Sequence, residues 1–270
     1  RIGEVEPLLA LDDVAGAAYE PGGGVCDGRL MIMSWLVDAI GRGLEVRQGA
    51  RVERILLDGD RAAGVRLADG EEIRAGRTIV ATGSWSPELL GPVGYATPIA
   101  LGRIQVAVLR LRPGQPAPAA VTSDAVSNVV VRAAAGRDIW VVAYQPDTPI
   151  IEVRDDCQRP LLEGYEGFVR EGLRARFPSL ADAELVGGWG GAYDHTPDWH
   201  PIVGPVPGVD DLLVCAGWSG HGLKSSPAIG RVMAALACDA EPDIDVADLA
   251  PDRFARGDLN RLAYGPGARA

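Results

Sequence analysis

The most informative alternation of apolar and polar positions lies between residues 211 and 238. Residues 211–216 (DLLVCA) have the length and composition of a buried strand. Gly217, Gly220 and Gly222 then interrupt the apolar pattern and permit positive φ or the close approach of another molecule. Ser226 followed by Pro227 predicts a helix entry, with serine as the cap and proline at the first helical position. Ile229, Val232, Met233 and Leu236 share one face of that helix and are expected to pack on a sheet. The sequence therefore predicts strand, glycine turn and helix, with His221 and Lys224 on the turn.

Upstream, Asp27 is placed to cap a helix over residues 29–40, with Leu30, Met33, Leu36, Val37 and Ile40 expected to face inward. Short strands are predicted at 44–47, 50–57, 63–67 and 72–74, with turns at Asp58-Gly59 and Asp69-Gly70. Residues 77–81 (RTIVA) form a further buried strand, so the meander feeds back into a main sheet. From about 98 to 193 the pattern changes. Strands at 100–112, 127–132 and 138–144 are separated by proline-rich stretches, and a helix over 157–177 ends at Pro178. This reads as a second, strand-rich domain inserted into the first.

Composition narrows the choice of partners. A chain of 270 residues that is 47% hydrophobic can bury a substantial core in two lobes. A net charge of −11 without any Lys/Arg cluster argues against nucleic acid. The apolar runs are too short and too interrupted to span a bilayer, and the N-terminus lacks a signal-peptide pattern. Cys26, Cys157, Cys215 and Cys238 show no CxxC spacing, so a reducing, cytoplasmic setting is expected. The chain opens on Arg1 without an initiator methionine or a first strand leading to a dinucleotide-type glycine loop, the pattern of an internal start.

A glycine turn at a helix start favours an anionic or electron-accepting group, because unpaired N–H groups and the positive end of the helix dipole both point there. The same pattern also serves a strand-to-helix connection with no ligand. A third reading comes from His195, His200 and His221, which share the C-terminal region with Asp194 and Asp198 and raise a metal-dependent hydrolase. Pro197 and Pro201 break up helical presentation there, and no zinc spacing is matched, so no metal ligands are assigned.

Three stretches carry a family resemblance: YEPGGG at 19–24, RTIVATGSWSPEL at 77–89, and the run from WGGAYDHTPDWHP through GWSGHGLKSSPAIGRVMAAL. Together they resemble the FAD-dependent D-amino-acid oxidase superfamily, in particular its sarcosine oxidase and dehydrogenase branch. The resemblance implies an α/β (α+β) fold, with an FAD-binding Rossmann-type domain and an inserted antiparallel-sheet domain that covers the flavin and forms the substrate pocket. Residues 1–97 correspond to the second part of the FAD domain, 98–195 to the substrate domain, 196–240 to the C-terminal part of the FAD domain and 241–270 to a tail.

By matching positions, Val52 would hold the adenine through its backbone. Ala81, Thr82 and Gly83, with Trp85 beside them, would pass close to the dinucleotide. Gly217, Trp218, Ser219, Gly220, His221, Gly222 and Leu223 would follow the flavin's pyrimidine edge. Lys224 matches a lysine that grips the substrate carboxylate, Tyr193 a pocket tyrosine near the reacting carbon, and His221 packs beside the ring. The implied reaction oxidises the C–N bond of a sarcosine, glycine or proline-type substrate, with O2 or an electron carrier as acceptor and a further subunit or second copy as partner. Some relatives tether flavin covalently, but this chain has Gly191 before Ala192-Tyr193 and no histidine in the YEPGGG loop. Noncovalent FAD is implied. The GxGxxG loop, the ribose-binding acid and a second carboxylate-gripping arginine belong to an N-terminal part that this chain lacks. A noncatalytic flavoprotein subunit or scaffold is the alternative from a different class, since the acidic charge and Trp140, Trp189, Trp199 and Trp218 also permit an interface.

Overall fold

The computed structural model describes residues 1–144 and 160–260. They form two compact units, one from residues 1–24 and 102–192, the other from 25–101 and 193–260.

The first unit is built on an antiparallel sheet of order β6-β7-β8-β5-β9: Ala100–Arg110 (β5), Thr122–Asp124 (β6), Val129–Ala133 (β7), Asp138–Ala143 (β8) and Glu184–His195 (β9). Strand alternation sends Ala107, Leu109, Val129, Val131, Ile139 and Val141 to one face. There they pack on Val169, Leu173 and Phe177 at the helix Tyr165–Arg176 (α4) and its end. The Tyr165 hydroxyl donates to the Gln105 carbonyl at 2.6 Å and accepts from Ala143 N at 2.8 Å, so the helix is bonded as well as packed. The sequence predicted α4 from residue 157, but it begins at Tyr165, and 157–159 lie outside the described residues. The N-terminal segment, including the short helix Ile2–Val5 (α1), belongs to this unit through two buried charges. Glu6 accepts from the amides of Ala119 (2.6 Å) and Ala120 (2.9 Å), and Arg176 bonds Asp124 at 2.7 Å and Asp13 at 2.8 Å.

In the second unit, Val52–Asp58 (β1), Arg61–Leu67 (β2) and Glu72–Arg74 (β3) form the expected meander, in antiparallel order β1-β2-β3. Its second turn is closed by an Asp69 carboxylate that accepts from Glu71 N at 3.0 Å. Residues 44–47 are not a strand. Thr78–Val80 (β4) runs parallel to Leu212–Ala216 (β11), and Ile202–Pro205 (β10) is antiparallel to β11 on its other side. Leu212, Val214 and Val80 enter a core with Ile55, Ala62, Leu89 and Leu90, the last two from Ser86–Leu90 (α3). Leu213 and Val203 face the other way, onto Val232 and Met233 of Gly222–Ala237 (α5), with Ile229 and Leu236 at the rim. The expected apolar face of that helix is the face that packs. Each fully buried side chain of this size contributes roughly 1.5–3 kcal/mol.

Arg77 fixes the far end of α5. Its guanidinium donates to the carbonyls of Leu236 (2.9 Å) and Ala237 (2.8 Å) and pairs with Asp211 at 2.8 Å. The α5 C-terminus is thereby tied to the residues that open β4 and β11, and its N-terminus falls at the carboxyl ends of the same strands.

Two further expectations fail in this unit. The helix predicted over 29–40 forms as Gly28–Gly41 (α2), with Asp27 accepting from Arg29 N and Leu30 N, but none of its residues is buried. Leu30 and Val37 are each 67% exposed and Met33 54%, with Ile40 at 50% and Leu36 only half-buried. The local signals specify the helix correctly, whereas burial depends on a partner that the described residues do not supply. The second failure is the start of α5. Ser226 and Pro227 do not open it: the helix begins at Gly222, and Pro227 lies inside the helix. Proline there removes the N–H that would bond the Leu223 carbonyl, and the Ser226 hydroxyl donates to that carbonyl instead, at 2.7 Å.

Ser226→Ala should therefore cost about 0.5–1.5 kcal/mol in urea denaturation. With Pro227→Ala already present the same change should cost much less, because the alanine N–H resupplies the bond; equal costs in both backgrounds would contradict the substitution of hydroxyl for amide.

Candidate active site

Where β4 and β11 end side by side, the chain makes two sharp departures. After β4 it passes through Ala81 and Thr82 into a 3-10 turn at Gly83–Trp85, with the Thr82 and Ser86 hydroxyls 3.1 Å apart. After β11 it enters the glycine turn. The space beyond the carboxyl ends of neighbouring parallel strands is where open α/β sheets bind ligands.

The glycines of the second turn are required by contact as well as by φ. Gly217 has φ 71°, and a Cβ there would lie 2.5 Å from the Thr196 methyl. Gly220 has φ 87°, and a Cβ would lie 2.5 Å from the Tyr193 ring. Ser219 between them also takes a positive φ of 49° although it carries a side chain, and it is buried. Both contacting residues come from the end of β9 and the residue after it. Tyr193 is part of a ring series, its centroid 5.9 Å from that of His195, which lies 4.5 Å from Trp199.

Asp194 holds the turn at both ends. Its carboxylate accepts from Gly217 N at 2.8 Å, and its carbonyl accepts from Ser219 N at 3.1 Å. A Cβ on Gly83 would lie 3.8 Å from the same carboxylate, so Asp194 sits between the two strand ends. Burial pushes its pKa above the ordinary 3.8, opposed by the backbone amides of the turn. The Cys215 thiol beside it is pushed up to about 11, first by burial and also by the Asp194 charge.

The turn delivers the chain into α5 with His221 at the cap position, and no side chain caps the helix. Its first-turn N–H groups have no partners within the helix and carry the positive end of the dipole. Lys224 stands exposed in that first turn rather than on the preceding loop, a consequence of the earlier helix start. The His221 pKa is held below the ordinary 6.5 by burial and by Lys224 and His200, so its imidazole is neutral at pH 7.

The structure brings together Tyr193, the 81–83 segment and residues 217–224. Val52 stands apart from this cluster: it opens β1 and packs on the core that Val80 and Val214 also enter. Trp85 closes the first 3-10 turn and is 46% exposed. His200 has its Nδ1 2.7 Å from the Asp198 carbonyl, and no group of three His, Cys, Asp or Glu side chains among the described residues forms a metal cluster. Sequence reasoning named Ser219 only for the flavin edge and not for the bond it accepts from Thr196 N; it weighed Asp194 only as a metal ligand and passed over Thr196. The available signal for Asp194 and Thr196 was their place: polar residues at a strand end facing a glycine turn.

A family model described as FAD dependent oxidoreductase (DAO) matches residues 1–236. The chain belongs to that family. A glycine oxidase of Pseudomonas aeruginosa is 32% identical over 77% of this chain and 54% of its own length. The beta subunit of an Arthrobacter sarcosine oxidase is 28% identical over 96% of this chain and 63% of its own. Among solved structures, L-proline dehydrogenase of P. horikoshii matches with a TM-score of 0.83 and 24% identity over 96% of this chain and 68% of that one, a likeness of fold. A D-amino acid dehydrogenase of Xanthobacter autotrophicus is covered to 58% of its length, so the chain spans between half and two thirds of these curated relatives.

Two outcomes test this geometry. Asp194→Asn keeps an acceptor for Gly217 N and removes a charge that burial disfavours, so at pH 7 it should leave stability unchanged or raised. Asp194→Ala strands the amide and should cost about 1–3 kcal/mol; equal loss in both would remove the assigned role. Because the folded His221 pKa is depressed, the unfolded chain takes up its proton first as pH falls. Its contribution to stability is complete above 6.5 and is lost below it. NMR titration should give a His221 midpoint under 6.5, and His221→Gln should flatten the melting temperature across that window.

Proposed function

We propose that this chain is part of an FAD-dependent oxidoreductase that oxidises the C–N bond of a small amino acid or N-methyl amino acid of the sarcosine, glycine or proline type. The observation that carries the reading is the uncapped start of α5 at the carboxyl ends of β4 and β11, with Tyr193 against Gly220. A file of first-turn amides, a turn without Cβ atoms at Gly217, Gly220 and Gly222, and a dipole of positive sign suit the polar edge of a flat, electron-accepting ring. The names of the relatives, glycine oxidase and sarcosine oxidase subunit beta among them, support the substrate class.

When bound, the flavin supplies the acceptor for a hydride leaving the carbon next to nitrogen. The residues of this chain have to bind and orient a neutral amine. The α5 amides and Gly217–Leu223 would hold the pyrimidine edge, and Ala81–Gly83 the neighbouring part of the dinucleotide. The Lys224 ammonium would attract the substrate carboxylate, and Tyr193 would border the reacting carbon. A neutral His221 adds no second positive charge next to Lys224. Glycine at 191 and the absence of histidine from residues 19–24 support noncovalent attachment.

The bare apolar surface of α2 and the outer edge of β4, which no strand pairs among the described residues, support a longer polypeptide or subunit assembly that completes the FAD domain. An unpaired strand edge presents a row of N–H and C=O groups to which a further strand can add.

Visible absorption of the full-length protein tests the reading. A flavin band that bleaches with sarcosine, glycine or proline is the expected result, a band that no amine bleaches supports the noncatalytic subunit, and a colourless protein rejects the flavin. In the coloured enzyme, Lys224→Met should raise the apparent KM for carboxylate substrates by about 10–100-fold, the loss of one charge-assisted contact, with FAD retained.

A further inference from the structure

The C-terminal segment after α5 has no place in the function proposed so far. It carries a 3-10 turn at Ala247–Leu249 and the one-turn helix Arg253–Arg256 (α6). It ends, among the described residues, at Asn260. Within it stands Arg253, 1% exposed, paired with Asp198, whose side chain is 0% exposed.

The pair is fully satisfied. Arg253 Nε and Nη2 donate to the two Asp198 oxygens at 2.9 and 3.0 Å, Nη1 donates to the carbonyls of Leu249 (2.9 Å) and Ala250 (3.3 Å), and Nη2 also reaches the His200 carbonyl at 2.8 Å. All five guanidinium N–H groups are used. Asp198 accepts in addition from His200 N at 3.2 Å and Asn260 N at 3.2 Å. A buried ion pair gives little net stability over an apolar pair of the same shape. What it adds is geometry: it fixes the His200 carbonyl.

That carbonyl is the first link of a path to the glycine turn. The Thr196 hydroxyl donates to it at 2.7 Å. Thr196 N donates to the Ser219 hydroxyl at 3.3 Å, and the Thr196 methyl lies directly under Gly217. Thr196 and Ser219 are both 3% exposed, so these bonds have no water to replace them.

We propose that the segment 247–260 is a clasp, and that Arg253 is a positioning residue which, through the His200 carbonyl and Thr196, sets the turn Gly217–Gly220 at the start of α5. A substitution more than thirty residues beyond the turn then changes how the turn presents its amides. The clasp itself stands on this hydrogen-bond path; only its consequence for a flavin rests on the function proposed above.

Amide hydrogen exchange and flavin absorption on the full-length protein test it separately. Thr196→Val deletes the link to His200 while leaving the ion pair intact, and Arg253→Lys keeps the charge but has three N–H groups in place of five, too few for both Asp198 oxygens and the Leu249, Ala250 and His200 carbonyls together. Each should speed exchange at Gly217–Gly220 about tenfold, the worth of one buried hydrogen bond, with the β1–β3 amides unchanged. Thr196→Val should also shift the flavin band. If Thr196→Val leaves the turn amides at their original rates, or if Arg253→Lys accelerates β1–β3 equally, the clasp is overturned. Faster turn exchange in a protein that never binds FAD would uphold the clasp and reject the flavin.

Discussion

The backbone between Ala216 and Gly222 is the constraint on which the rest of the site depends. The chain must leave a buried parallel strand, reverse direction within a few residues, and start a helix that packs back on the same sheet. Gly217 and Gly220 allow the left-handed conformations and leave room for Thr196 and Tyr193. With the reversal completed that early, α5 begins at Gly222 and Arg77 can still reach its last carbonyls. The uncapped amides are therefore presented at the strand ends because both ends of the helix are fixed.

Around this turn the molecule buries polar groups rather than excluding them. Asp194, Thr196, Ser219 and Asp198 occupy positions where apolar residues would pack more cheaply, and each makes directional bonds to backbone. Such groups are costly when unpaired and specific when paired. The arrangement reserves the Gly217 amide for Asp194 and leaves the first turn of α5 available, which separates the donors that maintain the turn from those that can meet a ligand. Electrostatics agree with this division: Asp194 is half-buried between the strand ends, while Lys224 stands exposed on the helix, and the neutral His221 lies next to it.

Local chemistry made much of this legible in advance. Asp27 as a cap, the β1–β3 meander, the β4 and β11 strands and the packing face of α5 all follow from patterns confined to a few neighbouring residues. The family resemblance pointed to the same region, and the match over residues 1–236 agrees with it. Other elements left no such trace. β9 reads ELVGGWGGAYDH, a run whose glycines erase the alternation that marks a strand, and it forms because β5 lies beside it to pair with. The Ser-Pro pair carries the signature of a helix start, yet the helix was already under way, and the serine's role became repair of the bond that proline removes.

By itself the sequence determined which segments could be strand or helix, where the chain could turn, and which glycine-rich stretch could lie against a ligand, because these depend on side-chain volume, φ preference and nearest-neighbour hydrogen bonds. The tertiary structure alone decided that α2 is bare while α5 is buried, that Asp194 and Thr196 grip a turn more than twenty residues away, and that Arg253 closes onto Asp198. Those outcomes depend on which surfaces meet, and a contact between residues distant along the chain leaves no periodicity for a sequence to display.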